Sequence, residues 1–241
     1  MENKFLPEVE IKNLPSKKLS YPEATRIYYN PYTLGDLQKI NNSNMDAVQL
    51  YEYLLQGVRS TGMDKNELTF YDVVYIGWLR KIASLGTPLF QMQAFCPNCD
   101  LKNSRTLELK DMDFEDTEVP KMPIRIRIKE VEVSFKFLTI RDYLDILKLD
   151  KVKDVIYVFA KHVDNLPFGE AYNLIYSLVG DDIEKVEYIN KLLYHGLSKI
   201  PFKCSDCDFE YLVNPANYAE AEITRPFRGQ EYDIRNEISF G

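Results

Sequence analysis

The chain has 241 residues, of which 45% are hydrophobic and 28% charged, a composition typical of a globular protein with a buried core. Its formal net charge of -7 is spread along the sequence, which disfavours a general nucleic-acid-binding role because such proteins carry a basic surface. The apolar runs are too short to cross a bilayer core of about 30 Å, and Met1 to Glu10 lacks the apolar centre of a secretory signal, so we expect no membrane span and a reducing cytoplasm.

The N-terminal half predicts a strand followed by helices. Prolines and the lack of a sustained period predict that residues 1–25 form an extended arm that becomes ordered on partners. Arg26 to Tyr32 is typical of a short aromatic strand ended by Asn-Pro, and Thr33 can cap a helix that begins at Leu34. Helical spacing of apolar residues predicts two further helices, over 45–60 and 70–85.

The C-terminal half predicts a hairpin and then a helical region. Asp111 to Pro123 is typical of an acidic connector, and the alternation over 124–128 and 131–137 predicts two paired strands. Residues 214–241 show no period, so we expect an extended tail that lies on a partner. The helical pattern between them covers 140–149, 152–163, 169–179 and 182–198.

All four cysteines occur as two pairs with the same spacing. Cys96 and Cys99 follow a predicted strand over 89–95, and Cys204 and Cys207 follow another that begins at Ile200. Two thiolates separated by two residues can bind one face of a tetrahedral ion, so two such pairs complete the tetrahedron. We therefore predict one structural zinc ion per chain, bound by all four cysteines. Four thiolates leave no open position for water, so we expect no zinc catalysis.

The residue after each cysteine pair agrees with this interpretation. A knuckle of this kind often needs a left-handed backbone conformation directly after its second cysteine. Asp tolerates that conformation better than most residues, and the chain has Asp100 and Asp208 at these positions.

Two other interpretations of the cysteines are open. Each pair is also the spacing of a redox dithiol, although such a motif favours a helix that begins at the first cysteine, and no helical pattern follows either pair. An iron-sulfur cluster also fits four cysteines.

Few other residues are candidates for chemistry. His162 lies in an apolar helical pattern and is expected to be a partly buried histidine, whereas His195 is expected at the surface or, less often, as a donor to a metal ligand. Tyr28, Tyr29 and Tyr32 are consistent either with an interface or with core packing. The sequence contains no phosphate loop, nucleophile elbow or paired-histidine helix motif, so we expect no enzyme.

These observations predict an α+β fold that is helix-rich, with two small strand elements and a split four-cysteine site similar to a zinc ribbon. The predicted organisation is an N-terminal arm over 1–25, a single domain over 26–213 and a C-terminal tail over 214–241. Within the domain, residues 100–203 form an insertion of strands and helices between the two knuckles.

Several features occur in a recognisable order. They are the aromatic strand and helix over Tyr28–Leu37, the helix end Leu79–Gly86 before the first cysteine pair, the segment Leu107–Val119, and the second cysteine pair after a helical region. This order resembles that of the baseplate hub assembly proteins of T-even-type tailed phages, over Arg26 to Asp208. The family commonly carries Gly after the second cysteine of a knuckle, where this chain has Asp.

The resemblance implies a non-enzymatic phage baseplate or tail hub protein that acts in tail assembly through contacts with other hub proteins. It implies a location in the host cytoplasm during assembly, or in the tail baseplate of the virion. The alternative is a zinc-ribbon protein that binds nucleic acid or regulates transcription, in which Lys102, Arg105, Lys203 and the strand Arg125–Lys129 would supply contacts. The acidic net charge makes nucleic acid the less expected partner.

Overall fold

The computed structural model of the protein describes residues 7–42, 45–86, 89–152 and 154–213. Within these ranges the fold is α+β, as the sequence predicts. The strands are β1 Val9–Ile11, β2 Arg26–Tyr29, β3 Val58–Thr61, β4 Leu89–Phe95, β5 Lys102–Glu108, β6 Ile124–Ile128, β7 Val131–Phe135, β8 Ile200–Lys203 and β9 Glu210–Val213. The helices are α1 Leu34–Asn42, α2 Ala47–Gln56, α3 Phe70–Leu85, α4 Ile140–Lys148, α5 Val155–Ala160, α6 Phe168–Tyr176 and α7 Asp181–Leu193.

The chain divides into two compact units, each built from separate stretches of sequence. Unit 1 comprises Met1–Asn30, Met45–Tyr75 and Glu115–Gly196, and unit 2 comprises Pro31–Asn44, Ile76–Phe114 and Leu197–Gly241. The predicted tail over 214–241 lies outside the described residues. The predicted domain boundaries stay a prediction.

Unit 1 begins with a three-stranded antiparallel sheet in the order β1-β2-β3. Ile27 in the central strand is fully buried, and Ile11 opposite it in β1 is 4% exposed. β1 and the residues after it fall in the segment expected to be an extended arm. Their described part instead packs within unit 1, because Ile11, Leu14 and Tyr21 are apolar side chains that this core buries.

A buried carboxylate fixes this N-terminal segment to the start of α3. Asp72 is fully buried and accepts hydrogen bonds from the Ser16 backbone N–H at 3.0 Å, from the Ser16 hydroxyl at 2.5 Å and from the Tyr21 hydroxyl at 2.5 Å. The Tyr21 oxygen in turn accepts from the Thr69 N–H at 2.8 Å. Burial, together with the charge of Asp72, raises the pKa of Tyr21, so its hydroxyl stays a donor.

A second part of unit 1 packs helices α5, α6 and α7 against the β6–β7 hairpin. Ile128, Val133 and Phe135 from the hairpin are fully buried in this core. The helices contribute a second set of buried side chains, namely Phe159, Ala160, Ala171, Ile175, Ile189 and Leu193. The predicted hairpin and helical region are therefore present, with shorter helices than the spacing suggested.

One predicted helix is longer than the observed one. The spacing predicted a helix over 45–60, but α2 ends at Gln56, where Gly57 caps it through bonds to the Leu54 and Leu55 carbonyls. Val58 to Thr61 instead pairs with β2 as strand β3. Tertiary pairing with the aromatic strand overrides the local helical period there.

Unit 2 contains the C-terminal part of α3 and two hairpins, β4–β5 and β8–β9. The Trp78 indole N–H donates to the Leu109 carbonyl at 2.6 Å, which connects α3 to the end of the first hairpin. The Arg80 guanidinium lies 4.0 Å from the centre of the Tyr32 ring. Across the described residues, none of the helices has the length and apolar character needed to span a membrane.

Replacement of Tyr21 by Phe tests the buried network. The change removes the donor to Asp72 and the acceptor for the Thr69 N–H, and both groups stay buried. We expect Tyr21→Phe to lower the free energy of unfolding by about 1–3 kcal/mol, measured by urea unfolding. Tyr176→Phe is the control, because Tyr176 is 70% exposed, and it should change stability by less than about 0.5 kcal/mol. Equal changes in stability for Tyr21→Phe and Tyr176→Phe would contradict a stabilising role of the buried Tyr21–Asp72 network.

Candidate metal centre

The first cysteine pair lies at the tip of the β4–β5 hairpin, directly after the strand predicted over 89–95. The two strands pair from Leu89 opposite Glu108 to Phe95 opposite Lys102. Beyond them the Cys96 N–H donates to the Leu101 carbonyl, and the Asp100 N–H donates to the Cys96 carbonyl, both at 2.9 Å. These bonds close a tight turn that presents Cys96 and Cys99 on the same side.

The second pair repeats this geometry at the tip of the β8–β9 hairpin. The Cys204 N–H donates to the Phe209 carbonyl at 2.9 Å, as Cys96 does to Leu101. Asp100 and Asp208 adopt φ angles of 58° and 57°. The predicted left-handed residue after each pair is therefore confirmed.

The two turns bring the four sulfur atoms together. All four Sγ atoms lie within 4.8 Å of one another. Across the two knuckles, Cys96 and Cys207 are 3.6 Å apart and Cys99 and Cys204 are 3.5 Å apart. A tetrahedral zinc ion with bonds of about 2.3 Å needs sulfur separations of about 3.8 Å. The cluster thus has the size of a four-thiolate metal site, and these separations are too long for disulfide bonds.

Backbone N–H groups donate to sulfur atoms of both knuckles. The Asn98 N–H donates to the Cys96 sulfur at 3.4 Å. The backbone N–H groups of Cys207 and Asp206 lower the pKa of Cys204 to about 6. Hydrogen bonds to a thiolate stabilise it relative to the thiol, so these donors favour the ionised form of Cys204. For Cys99, the Leu101 backbone lowers the pKa, but burial and the other three cysteines outweigh it and raise the pKa above its usual value.

Burial differs among the four cysteines. Cys96 and Cys204 are buried, Cys207 is half-buried and Cys99 is exposed. The first cysteine of each knuckle therefore belongs to the interior, whereas the second lies nearer solvent. A bound ion would be shielded on one side and approachable from the side of Cys99.

Asn103 connects the two hairpins directly and was not anticipated from the sequence. Its side-chain oxygen accepts from the Ser205 N–H at 2.9 Å and from the Ser205 hydroxyl at 3.1 Å. Its amide nitrogen donates to the Leu101 carbonyl at 3.0 Å and to the Tyr211 hydroxyl at 3.3 Å. Both knuckles are thus positioned by one buried side chain in β5. The available signal was an Asn within a strand pattern, where this residue is disfavoured.

The two histidines are buried in unit 1. The His162 Nδ1–H donates to the Lys136 carbonyl at 2.9 Å, and burial lowers the pKa of His162 to about 4, which confirms the expected satisfied histidine. His195 is 1% exposed, so the expected surface position is wrong. Its ring nitrogens contact the Thr69 hydroxyl at 3.2 Å and the Leu193 carbonyl at 3.0 Å. Both nitrogens are thereby engaged, and neither serves a cysteine ligand.

The three N-terminal tyrosines are mainly part of the core. Tyr29 and Tyr32 are 8% and 5% exposed, which favours core packing over an interface. Tyr28 is half-buried, and the Arg59 guanidinium lies 4.2 Å from its ring centre.

Two of the basic residues near the knuckles have partners on this chain. Lys203 pairs with Asp208 at 3.0 Å, and Arg105 donates to the Pro201 carbonyl. Arg127 in β6 lies opposite Glu132 in β7. Arg125 and Lys102 are exposed. Arg105 and Lys203 of unit 2 are therefore already engaged within the chain, which weakens the nucleic-acid alternative.

Substitution of Asp100 tests the backbone conformation of the knuckle. Val is β-branched and should destabilise the left-handed conformation by about 1–2 kcal/mol, whereas Gly adopts it freely. We expect Asp100→Val to lower the unfolding midpoint and Asp100→Gly to leave it unchanged or raise it. Both variants remove the carboxylate, so the difference between them isolates the backbone effect. Equal urea-unfolding midpoints for Asp100→Val and Asp100→Gly would contradict the left-handed conformation at this position.

Comparison with known proteins gives one family. A family model described as T4 bacteriophage base plate protein matches residues 6–217. Searches of curated proteins and of solved structures gave no significant match. The matched range includes both cysteine pairs and most of the chain, and it agrees with the resemblance noted in the sequence. The protein belongs to the T4 bacteriophage base plate protein family.

Proposed function

We propose that this chain is a non-enzymatic structural protein of the phage baseplate or tail hub, in which Cys96, Cys99, Cys204 and Cys207 bind one structural zinc ion. The observation that carries the metal assignment is the approach of four sulfur atoms to within 4.8 Å of one another. Family membership supports contacts with other phage structural proteins and a location in the virion tail. Assembly of the tail would take place in the host cytoplasm.

The donor set favours a structural ion over a catalytic one. Four thiolates fill a tetrahedral shell, so no position is left for an activated water molecule. The cysteine pairs come from positions 111 and 105 residues apart along the chain. An ion bound by both pairs would hold the β4–β5 hairpin to the β8–β9 hairpin within unit 2. Two-stranded hairpins are marginal in isolation, so this connection would stabilise both.

A redox dithiol and an iron-sulfur cluster are the two alternatives to a zinc site. A redox dithiol favours a helix that begins at its first cysteine, but both pairs are followed by a tight turn and a strand. An iron-sulfur cluster uses the same four ligands and would absorb visible light. The paired strand-turn-strand geometry supports zinc, because structural zinc sites are commonly built from two such knuckles.

Metal content tests the assignment. We expect one zinc ion per purified chain by elemental analysis, and loss of β structure in circular dichroism when a chelator removes it. Cys207→Ser should lose the metal, whereas Asp206→Asn in the same knuckle should retain it because it keeps the backbone N–H groups. If the purified chain instead contains iron together with acid-labile sulfide, the four cysteines bind an iron-sulfur cluster and not zinc. A folded, metal-free chain with reactive thiols would contradict the proposal and favour the redox interpretation.

The nucleic-acid alternative is tested by the salt dependence of binding. Lys203 is paired with Asp208, and the chain is acidic overall, so we expect no binding to DNA or RNA at physiological salt. Association with at least one other baseplate protein of the same phage should persist as salt is raised. Nucleic-acid binding that weakens steeply with salt, together with no association with baseplate proteins, would favour the zinc-ribbon regulator.

A further inference from the structure

The two knuckles of the candidate metal centre repeat the same backbone geometry. In each knuckle the N–H of the first cysteine donates at 2.9 Å to the carbonyl of the residue two positions after the second cysteine. The sulfur contacts across the knuckles also correspond, because Cys96 to Cys207 is 3.6 Å and Cys99 to Cys204 is 3.5 Å. A difference between equivalent positions therefore reflects the residues that occupy them and not a different backbone.

Equivalent cysteines of the two knuckles differ in exposure. Cys96 and Cys204, the first cysteine of each knuckle, are both buried. The second cysteines differ, since Cys99 is exposed and Cys207 is half-buried. In a four-cysteine metal site every ligand is a thiolate, so access and hydrogen bonding decide which sulfur reacts first with a molecule from solution. Cys99 has the greatest access of the four.

One hydrogen-bonded connection holds the second knuckle to the other hairpin. The Asn103 side-chain oxygen accepts from the N–H and from the hydroxyl of Ser205, at 2.9 and 3.1 Å. Ser205 directly follows Cys204, and we call this connection the Asn103–Ser205 latch. Because Asn103 lies in β5, the latch restrains the turn that contains Cys207 against the β4–β5 hairpin.

The first knuckle has residues that cannot form an equivalent latch. Pro97 occupies the position that Ser205 holds in the second knuckle, and proline has neither a backbone N–H nor a hydroxyl to donate. Tyr211 occupies the position equivalent to Asn103, and its hydroxyl donates to the Ala94 carbonyl at 3.4 Å. The turn of the first knuckle therefore lacks the connection that restrains the turn of the second.

Exposure and the missing latch concern the same ligand. We propose that Cys99 is the labile ligand of the metal centre, the sulfur that a soft electrophile modifies first, and that the Asn103–Ser205 latch protects Cys207 from the same reaction. Modification of Cys99 leaves the other three ligands in place, so the centre opens at one defined position. This inference rests on the proposed function, because it concerns the chain with a bound ion.

Limited alkylation of the zinc-loaded chain tests the order of reaction. The chain is treated with a limiting amount of iodoacetamide, and the labelled cysteine is identified by peptide mass spectrometry. The cysteine sulfur displaces iodide, so one S–C bond forms and one C–I bond breaks. We expect the label on Cys99 in about tenfold or greater excess over each of the other three cysteines, because access controls thiolate reactivity. Zinc released to an indicator should rise in proportion to the label.

Substitutions at the latch test its protective role. Ser205→Pro gives the second knuckle the residue that the first has at this position, and it removes both donors to Asn103. The share of label on Cys207 should then rise by about tenfold, an effect of the size expected from a lost hydrogen-bonded connection. Ser205→Ala keeps the N–H and should give a smaller rise. Ser104→Ala, at an exposed position of β5, is the control and should change nothing.

The outcomes separate this inference from the proposed function. Zinc content and circular dichroism are measured before labelling, and Ser205→Ala replaces Ser205→Pro if the latter fails to fold. A zinc-loaded chain labelled first at Cys207, or equally at all four cysteines, would overturn the inference and leave the proposed function intact. Unchanged labelling of Cys207 in the latch variants would overturn the role of the latch. A folded chain purified without metal would contradict the proposed function, and the inference would fail with it.

Discussion

The close approach of four cysteine sulfur atoms is the constraint on which unit 2 depends. At separations of 3.5 and 3.6 Å across the knuckles, thiolates repel one another strongly unless a cation lies between them. Backbone N–H groups lower the pKa of Cys204 to about 6, whereas burial and the other three cysteines raise the pKa of Cys99, so the four sulfurs resist ionising together in the absence of a cation. A bound cation would neutralise the four sulfur atoms and allow all of them to be thiolates at these short separations.

The same site shows how few contacts hold two short hairpins together. β8 and β9 each contain four residues, and a strand pair of this length is marginal alone. Asn103 supplies the main polar connection, because it bonds both to its own turn and to Ser205 of the other knuckle. The hydrogen bonds of Asn103 orient the two knuckles relative to each other, whereas a bound ion would supply most of the free energy that holds the two hairpins together. The polar network and the ion would therefore have separate roles in one site.

The sequence predicted what depends on local rules. Two cysteines with two residues between them define a turn, and an Asp in the left-handed region follows from that turn. Helix α3 and strand β4 were predicted with their observed ends, because glycine, proline and a sustained period mark them. The role of Asn103 could not be predicted, since its partner Ser205 lies 102 residues away. The N-terminal segment was misjudged for the same reason, because Asp72 accepts from Ser16 across 56 residues.

These internal networks also limit where the protein can interact. The histidines and Asp72 form hydrogen bonds inside unit 1. The four cysteine sulfur atoms cluster together in unit 2. Recognition of a partner therefore depends on surface groups that the fold leaves unused. Helix α6 is anchored through Ala171 and Ile175, and Tyr172 also packs against this core. Tyr176 at the end of the helix is 70% exposed, so most of its apolar surface is left in water by the fold.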